Sequence, residues 1–310
     1  MPLRAVEFGI VVQGINTFHH LGIVTRDLAG AVTKYESLGF VFTPLSLPEF
    51  PLSPGGAPEP VGVANRNAIF RNGYLEMLGI VDAARWASIS TSQRGPFDID
   101  NPLQRYEGLQ VMHFGTEHLD QVRTRLVEDG LSPSPIRPFQ RMVETLGGSE
   151  LMRARCLSFA LETNPEALFQ IVQHETPELA LQPRFMGHPN GAFALSEAIL
   201  CVEDPEEVAG RYGRYAGHPV DRRGPLCVID LGETRLVVVS CKNLTTLLPG
   251  EAAPTAPYLA GFTVTADVDQ AAAFLRRQHI PFQGHDGRII VSGRDASGSA
   301  VVFERPHAGR

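Results

Sequence analysis

Residues 18–43, FHHLGIVTRDLAGAVTKYESLGFVFT, set the reading of the whole chain. A short apolar run of strand character, FHHLGIV, enters a polar turn ending at Asp27. An aspartate there caps a helix by accepting from the free backbone N–H groups of its first turn. Leu28, Ala31, Val32, Tyr35 and Leu38 then recur at helical spacing, and Gly39 supplies the left-handed stop. Further on the pattern switches to strands. NRNAIFRNGYLEMLGIV (65–81) holds two apolar runs with Asn72-Gly73 between them as a hairpin signal.

The same order of signals returns three times, and self-similarity of this kind defines an architecture. GLQVMHFGTEHLDQVRTRLVEDGLSP (108–133) places Leu119, Val122, Leu126 and Val127 on one helix face, with Gly130 as the stop. Its strands are ELMRARCLSFAL and ALFQIVQH, parted by Asn164-Pro165. In ALSEAILCVEDPEEVAGRYGRYAGHPV (194–220), Asp204 caps a helix that has Pro205 at its first position. GPLCVIDL and TRLVVVS follow around Gly232. LAGFTVTADVDQAAAFLRRQHIPFQG (259–284) turns Val268, Ala271, Ala272 and Leu275 inward, and GRIIVSG and SAVVFERP complete the unit. The chain is therefore read as α+β, built from four βαβββ modules. The link PRFMGHPNGAF divides it into an N-terminal domain, 1–185, and a C-terminal domain, 186–310. A Pro- and Gly-rich loop at 44–60 is read as a lid over the first module.

Composition narrows the function classes. The 310 residues are 43% hydrophobic and 20% charged, with a net charge of −7. That balance argues against nucleic acid and anionic membrane as partners. Cys156, Cys201, Cys227 and Cys241 form no CxxC pair and are read as reduced, which fits a cytoplasmic location. The N-terminus shows no secretory signal, and no apolar run approaches the roughly 18 residues of a membrane helix. No Walker loop, GxGxxG, GxSxG or HExxH is present, which leaves nucleotide, hydride and serine-hydrolase chemistry without support.

HHLGIVTRDLAGAVTKYESLGF followed by VANRNAIFRNGYLEML resembles the glyoxalase-like branch of the vicinal-oxygen-chelate superfamily, the fold shared by glyoxalases, bleomycin-resistance proteins and extradiol dioxygenases. FQIVQHETPE and GHPNGA resemble the middle of bacterial members of that branch. The resemblance implies two paired, cupped mixed sheets with helices outside. It also implies a divalent metal held by a His or Gln on a module's first strand and a Glu on its last. Carried over, His20 takes the first-strand position and Glu76 the last-strand position, with Glu76 as ligand or catalytic base.

The residues are coherent with that chemistry. Alternation along FHHLGIV sends His19 and His20 to opposite faces, so one of the two points inward. Glu76 interrupts an apolar strand, where an inward carboxylate needs a cation or strong hydrogen bonds. His174 or His113 completes the site. His113 points into the cup or away, because a one-residue slip flips the face. The metal stays open among Fe(II), Zn, Mn, Ni and Co. SEAILCV and GFTVTAD carry no His, so the C-terminal half is read as lacking metal. Asn65 is a candidate to hydrogen-bond a substrate carbonyl and Arg66 to pair with a substrate carboxylate. Trp86 either walls the pocket or packs in the core, and His188 is a loop histidine. The expected function is metal-dependent chemistry on a small molecule with vicinal oxygens, as isomerase, lyase or dioxygenase. The alternative is a non-catalytic sequestering protein of the bleomycin-resistance type. A homodimer stays open as an assembly.

Overall fold

The computed structural model describes residues 14–53, 56–94 and 98–306. Most of the stretch read for a secretory signal lies outside them. Module one comprises β1 (Thr17–Thr25), α1 (Leu28–Ser37), the small pair β2 (Glu49–Pro51) and β3 (Pro58–Pro60), then β4 (Val63–Phe70) and β5 (Gly73–Ile80). Short helices α2 (Ala83–Ser88), α3 (Thr91–Arg94) and α4 (Asp100–Arg105) lead to module two. That module is β6 (Gly108–Gly115), α5 (Leu119–Glu128), β7 (Arg137–Thr145), β8 (Gly148–Ser158) and β9 (Leu168–His174). After α6 (Pro177–Ala180), module three is β10 (Ala192–Val202), α7 (Pro205–Ala216), β11 (Val220–Arg223), β12 (Leu226–Asp230) and β13 (Arg235–Ser240). Module four is β14 (Tyr258–Ala266), α8 (Val268–Arg277), β15 (Gln283–His285), β16 (Arg288–Val291) and β17 (Ala300–Glu304).

The first two modules form one mixed sheet, ordered β4-β5-β1-β6-β9-β8-β7, and the last two form another, β11-β12-β13-β10-β14-β17-β16-β15. In each sheet the first strands of the two modules pair antiparallel at the centre and each pairs parallel with its own module's last strand. Module one departs from the repeat. Its strand after the helix is replaced by the separate β2–β3 pair, and the stretch before that pair meets β4 through a bridge from Ser46 to Asn65 and a hydrogen bond from the Thr43 N–H to the Asn67 carbonyl. Pro44, Pro48 and Pro51 lie in that stretch, and proline cannot donate to a ladder.

The helices form where caps and stripes predict. Asp27 accepts from the Gly30 N–H and Asp204 from the Glu207 N–H, and Pro205 sits at the first helical position. Gly39 stands at φ 89°, a conformation open to glycine at little cost. One position corrects the reading: Val127 is 50% exposed, and Leu119, Val122 and Leu126 alone cover the sheet from α5. A shared apolar cluster joins the helix side of both sheets, including Phe18, Leu21 and Ile23 of β1, Tyr35 of α1, Phe114 of β6, Tyr212 of α7 and Phe262 of β14. The opposite faces carry separate clusters, one with Val24, Leu78, Trp86 and Val111, another with Ile199, Cys201 and Val239. All four cysteines are free. Among the described residues no helix is long and apolar enough to cross a membrane.

Candidate functional site

The open face of the first sheet gathers the candidate site residues. In the ladder between β1 and β6, Phe18 lies opposite Phe114 and His20 opposite His113, so His19 is an extra residue on β1. A bulge of this kind places two consecutive side chains where alternation allows one. This corrects the expectation from FHHLGIV: His19 and His20 both enter the cavity, with their Nδ1 atoms 2.8 Å apart. One imidazole carries its proton on that nitrogen and the other accepts it. The bulge also settles the register left open above, because His113, paired to His20, points inward with its ring 4.3 Å from that of His20. His174, at the end of β9, brings its ring to 4.1 Å from His19. Four histidines from three strands thus meet. Sequence reasoning named three of them and missed His19.

Glu76 enters from β5. Its Oε1 accepts from Asn65 Nδ2 at 2.6 Å, and its Oε2 lies 3.7 Å from His20 Nε2. Tyr74, two residues earlier and on the same face, stacks on His20 with centroids 4.6 Å apart. Phe139 and Arg141 of β7, with Met152, Ala154, Cys156 and Val172, close a cavity of about 110 Å³. Arg66 is directed elsewhere: its Nε donates to the Thr43 carbonyl at 2.8 Å, and its guanidinium reaches Glu36 at 3.4 Å. Alternation on β4 gives the cavity Asn65 and sends the next residue to the other face. Trp86 packs in the apolar cluster and donates to Asp100 at 2.8 Å, with the Arg94 guanidinium 4.1 Å over its ring. His188 is a bridge between segments, its Nδ1 accepting from the Val41 N–H and its Nε2 donating to the Ile69 carbonyl.

Burial decides the charge state here. It brings His113 and His174 down to about 4, and it holds His19 and His20 well below the usual histidine range, with neighbouring imidazoles and Arg141 adding to the effect. Burial also raises Glu76, against the opposing pull of the Asn65 hydrogen bond and Arg141. At 3.7 Å His20 and Glu76 resemble an ion pair, yet both shifts favour the neutral forms, so desolvation outweighs their attraction.

The donor set suits a divalent cation. Neutral imidazoles and one carboxylate are ligands for Zn, Fe, Mn, Ni or Co. His19 Nε2, His113 Nδ1 and both nitrogens of His174 are buried without a hydrogen-bond partner. Buried polar atoms left without partners are rare enough to point to a missing one. The arrangement is not already closed: among the described residues no three His, Cys, Asp or Glu are poised to hold a metal ion. The His19–His20 contact and the stacking on Tyr74 occupy the rings instead.

The second sheet repeats the geometry with other residues. Leu195 pairs with Val264 and Glu197 with Thr263, so Ser196 is the extra residue, in the place of His19. Glu197 corresponds to His20. It meets Arg235 at 2.9 Å and Arg288 at 3.0 Å, while Glu304 meets the same two arginines at 3.3 and 2.8 Å. Two buried carboxylates and two guanidiniums fill this position, where the first sheet has histidines.

Comparison with known proteins agrees with the fold. A profile described as a glyoxalase-like domain matches residues 18–216. No curated protein matches the sequence. Among solved structures, a hypothetical protein from Staphylococcus aureus superposes with a TM-score of 0.63 at 9% identity, over 93% of this chain and 99% of that one. The 2,3-dioxygenase LapB from Pseudomonas sp. KL28 gives 0.53 at 12%, over 96% and 94%. A Mn(II)-bound glyoxalase from Novosphingobium aromaticivorans gives 0.51 at 11%, over 94% and 82%. With the profile covering well over half of its length, the chain belongs to the glyoxalase-like domain family and carries the vicinal-oxygen-chelate fold.

Proposed function

We propose that this chain is a divalent-metal-dependent enzyme acting on a small molecule with two adjacent oxygens, with the chemistry in the cavity of the first sheet. The observation that carries the reading is the group of buried, partnerless imidazole nitrogens facing one carboxylate. His20 and Glu76 would hold the cation, with His113 and His174 as further ligands, and His19 beside them. A bound divalent ion supplies Lewis acidity for a developing enolate or oxyanion. Glu76 would serve as ligand or, released from the cation, as base: Asn65 fixes its Oε1, which leaves Oε2 either to hold the ion or to take a proton from the substrate. Burial raises its basicity toward that of a general base. Phe139, Met152, Ala154 and Val172 exclude water, which strengthens each polar contact inside.

A metal-free, ligand-sequestering role is the second reading. It is favoured by the rings being paired with one another rather than poised on a common point. The two separate in a turnover screen of metal-loaded protein against vicinal diones, 2-oxo acids and catechols, with dissolved oxygen recorded. Product formed without oxygen uptake indicates isomerase or lyase chemistry, and uptake indicates dioxygenase chemistry. Tight binding without turnover of any compound would favour sequestration.

A further inference from the structure

Arg141 faces the histidines from the edge strand β7. Among the described residues three arginines have a buried Nε with no hydrogen-bond partner: Arg94, Arg141 and Arg155. Arg94 forms ion pairs with Asp98 and Asp100, and Arg155 with Asp120 and Glu175. Arg141 forms none among these residues, and its side chain donates to the Ser46 hydroxyl at 2.9 Å. A guanidinium N–H buried without an acceptor is costly, and the group that satisfies it best is a carboxylate, which matches its planar fork. The apolar wall of Phe139, Met152 and Val172 stands beside it, so a charge-assisted contact there is little screened.

We infer that Arg141 recognises an anion, and that the ligand of this cavity is a small 2-oxo or 2-hydroxy carboxylate whose carboxylate lies against Arg141. The vicinal oxygen in that description rests on the proposed function; the carboxylate rests on Arg141 alone. The cavity, at about 110 Å³, is several times what one water needs and suits a molecule of this size.

The experiment is calorimetric titration of the protein as isolated with 2-oxobutanoate and with 2,3-pentanedione, which share the dicarbonyl unit and differ in charge. Wild type is compared with Arg141→Gln and Arg141→Lys, and metal content and melting temperature are recorded for each sample. Wild type should prefer the oxo acid by about ten- to a hundredfold, the range of a hydrogen bond to a charged group. Arg141→Gln should lose that preference with its dione affinity unchanged. Arg141→Lys, which keeps the charge and loses the fork, should retain part of it. Equal affinities in wild type, no binding of either compound, or a preference that survives Arg141→Gln would each overturn the inference. Metal without an anion preference sinks this inference and leaves the enzyme reading standing; an Arg141-dependent preference without metal does the reverse.

Discussion

His188 shows how one side chain can be important without chemistry. Its two ring nitrogens tie the Val41 amide to the Ile69 carbonyl, and burial brings it down to about 4. In the unfolded chain it titrates near 6.5, so between those values only the unfolded state binds the proton. Its contribution to stability is therefore fully present above about 6.5 and lost as pH falls toward 4; the full swing is on the order of 3 kcal/mol. His188→Ala should cost about 2–3 kcal/mol at neutral pH in urea unfolding, through the lost buried hydrogen bonds. It should also flatten the acid limb of stability against pH, and an unaltered acid limb would count against this assignment. Asn65 makes a different prediction. Its amide is the group that fixes Glu76 Oε1, so Asn65→Ala should weaken metal affinity about 10–100-fold with little change in melting temperature. Unchanged affinity in a metal titration would remove Asn65 from the site.

At the scale of elements, the strand β1 is where the site is made. Gly22 lies opposite Glu76 on one side and Val111 on the other. A Cβ there would stand 2.8 Å from Val111 Cβ and 3.4 Å from Glu76 Oε2. Gly22→Ala should therefore cost about 1–3 kcal/mol by overpacking and displace the carboxylate. Asp27→Ala, at the cap of the neighbouring helix, should cost about 1 kcal/mol and leave ligand binding intact. Wild-type stability and metal content in Gly22→Ala would contradict the packing argument. The helices were legible because a cap and an apolar stripe are local signals, and Glu76 because a carboxylate stands out in an apolar run. His19 was not legible: nothing in FHH marks which residue the ladder will leave over, and simple alternation sends it outward. β7 escaped for a related reason. RPFQRMVET is an exposed edge strand with little apolar contrast, and Arg141 was hidden with it.

On the scale of the molecule, one repeated architecture holds two different interiors. The shared bulge and pairing order mark the two sheets as versions of one plan, with imidazoles in one and interlocked ion pairs in the other. The sequence showed the absence of histidine from the first strands of the second pair of modules, SEAILCV and GFTVTAD; it did not show that four distant charged residues would close on each other there. Removing one member leaves buried charge without its partner, so Arg235→Met should cost about 3–5 kcal/mol while the folded fraction keeps its metal. Loss of metal from folded Arg235→Met would mean that the two interiors are coupled. The central claim is that the first interior binds a divalent cation through His20 and Glu76. Its most direct test is metal content by elemental mass spectrometry on protein purified without chelator, wild type beside His20→Ala and Glu76→Ala. Near-stoichiometric metal in wild type, lost in both variants, is the predicted result. A wild type that stays metal-free after soaking with Fe(II), Zn, Mn, Ni and Co would contradict the claim.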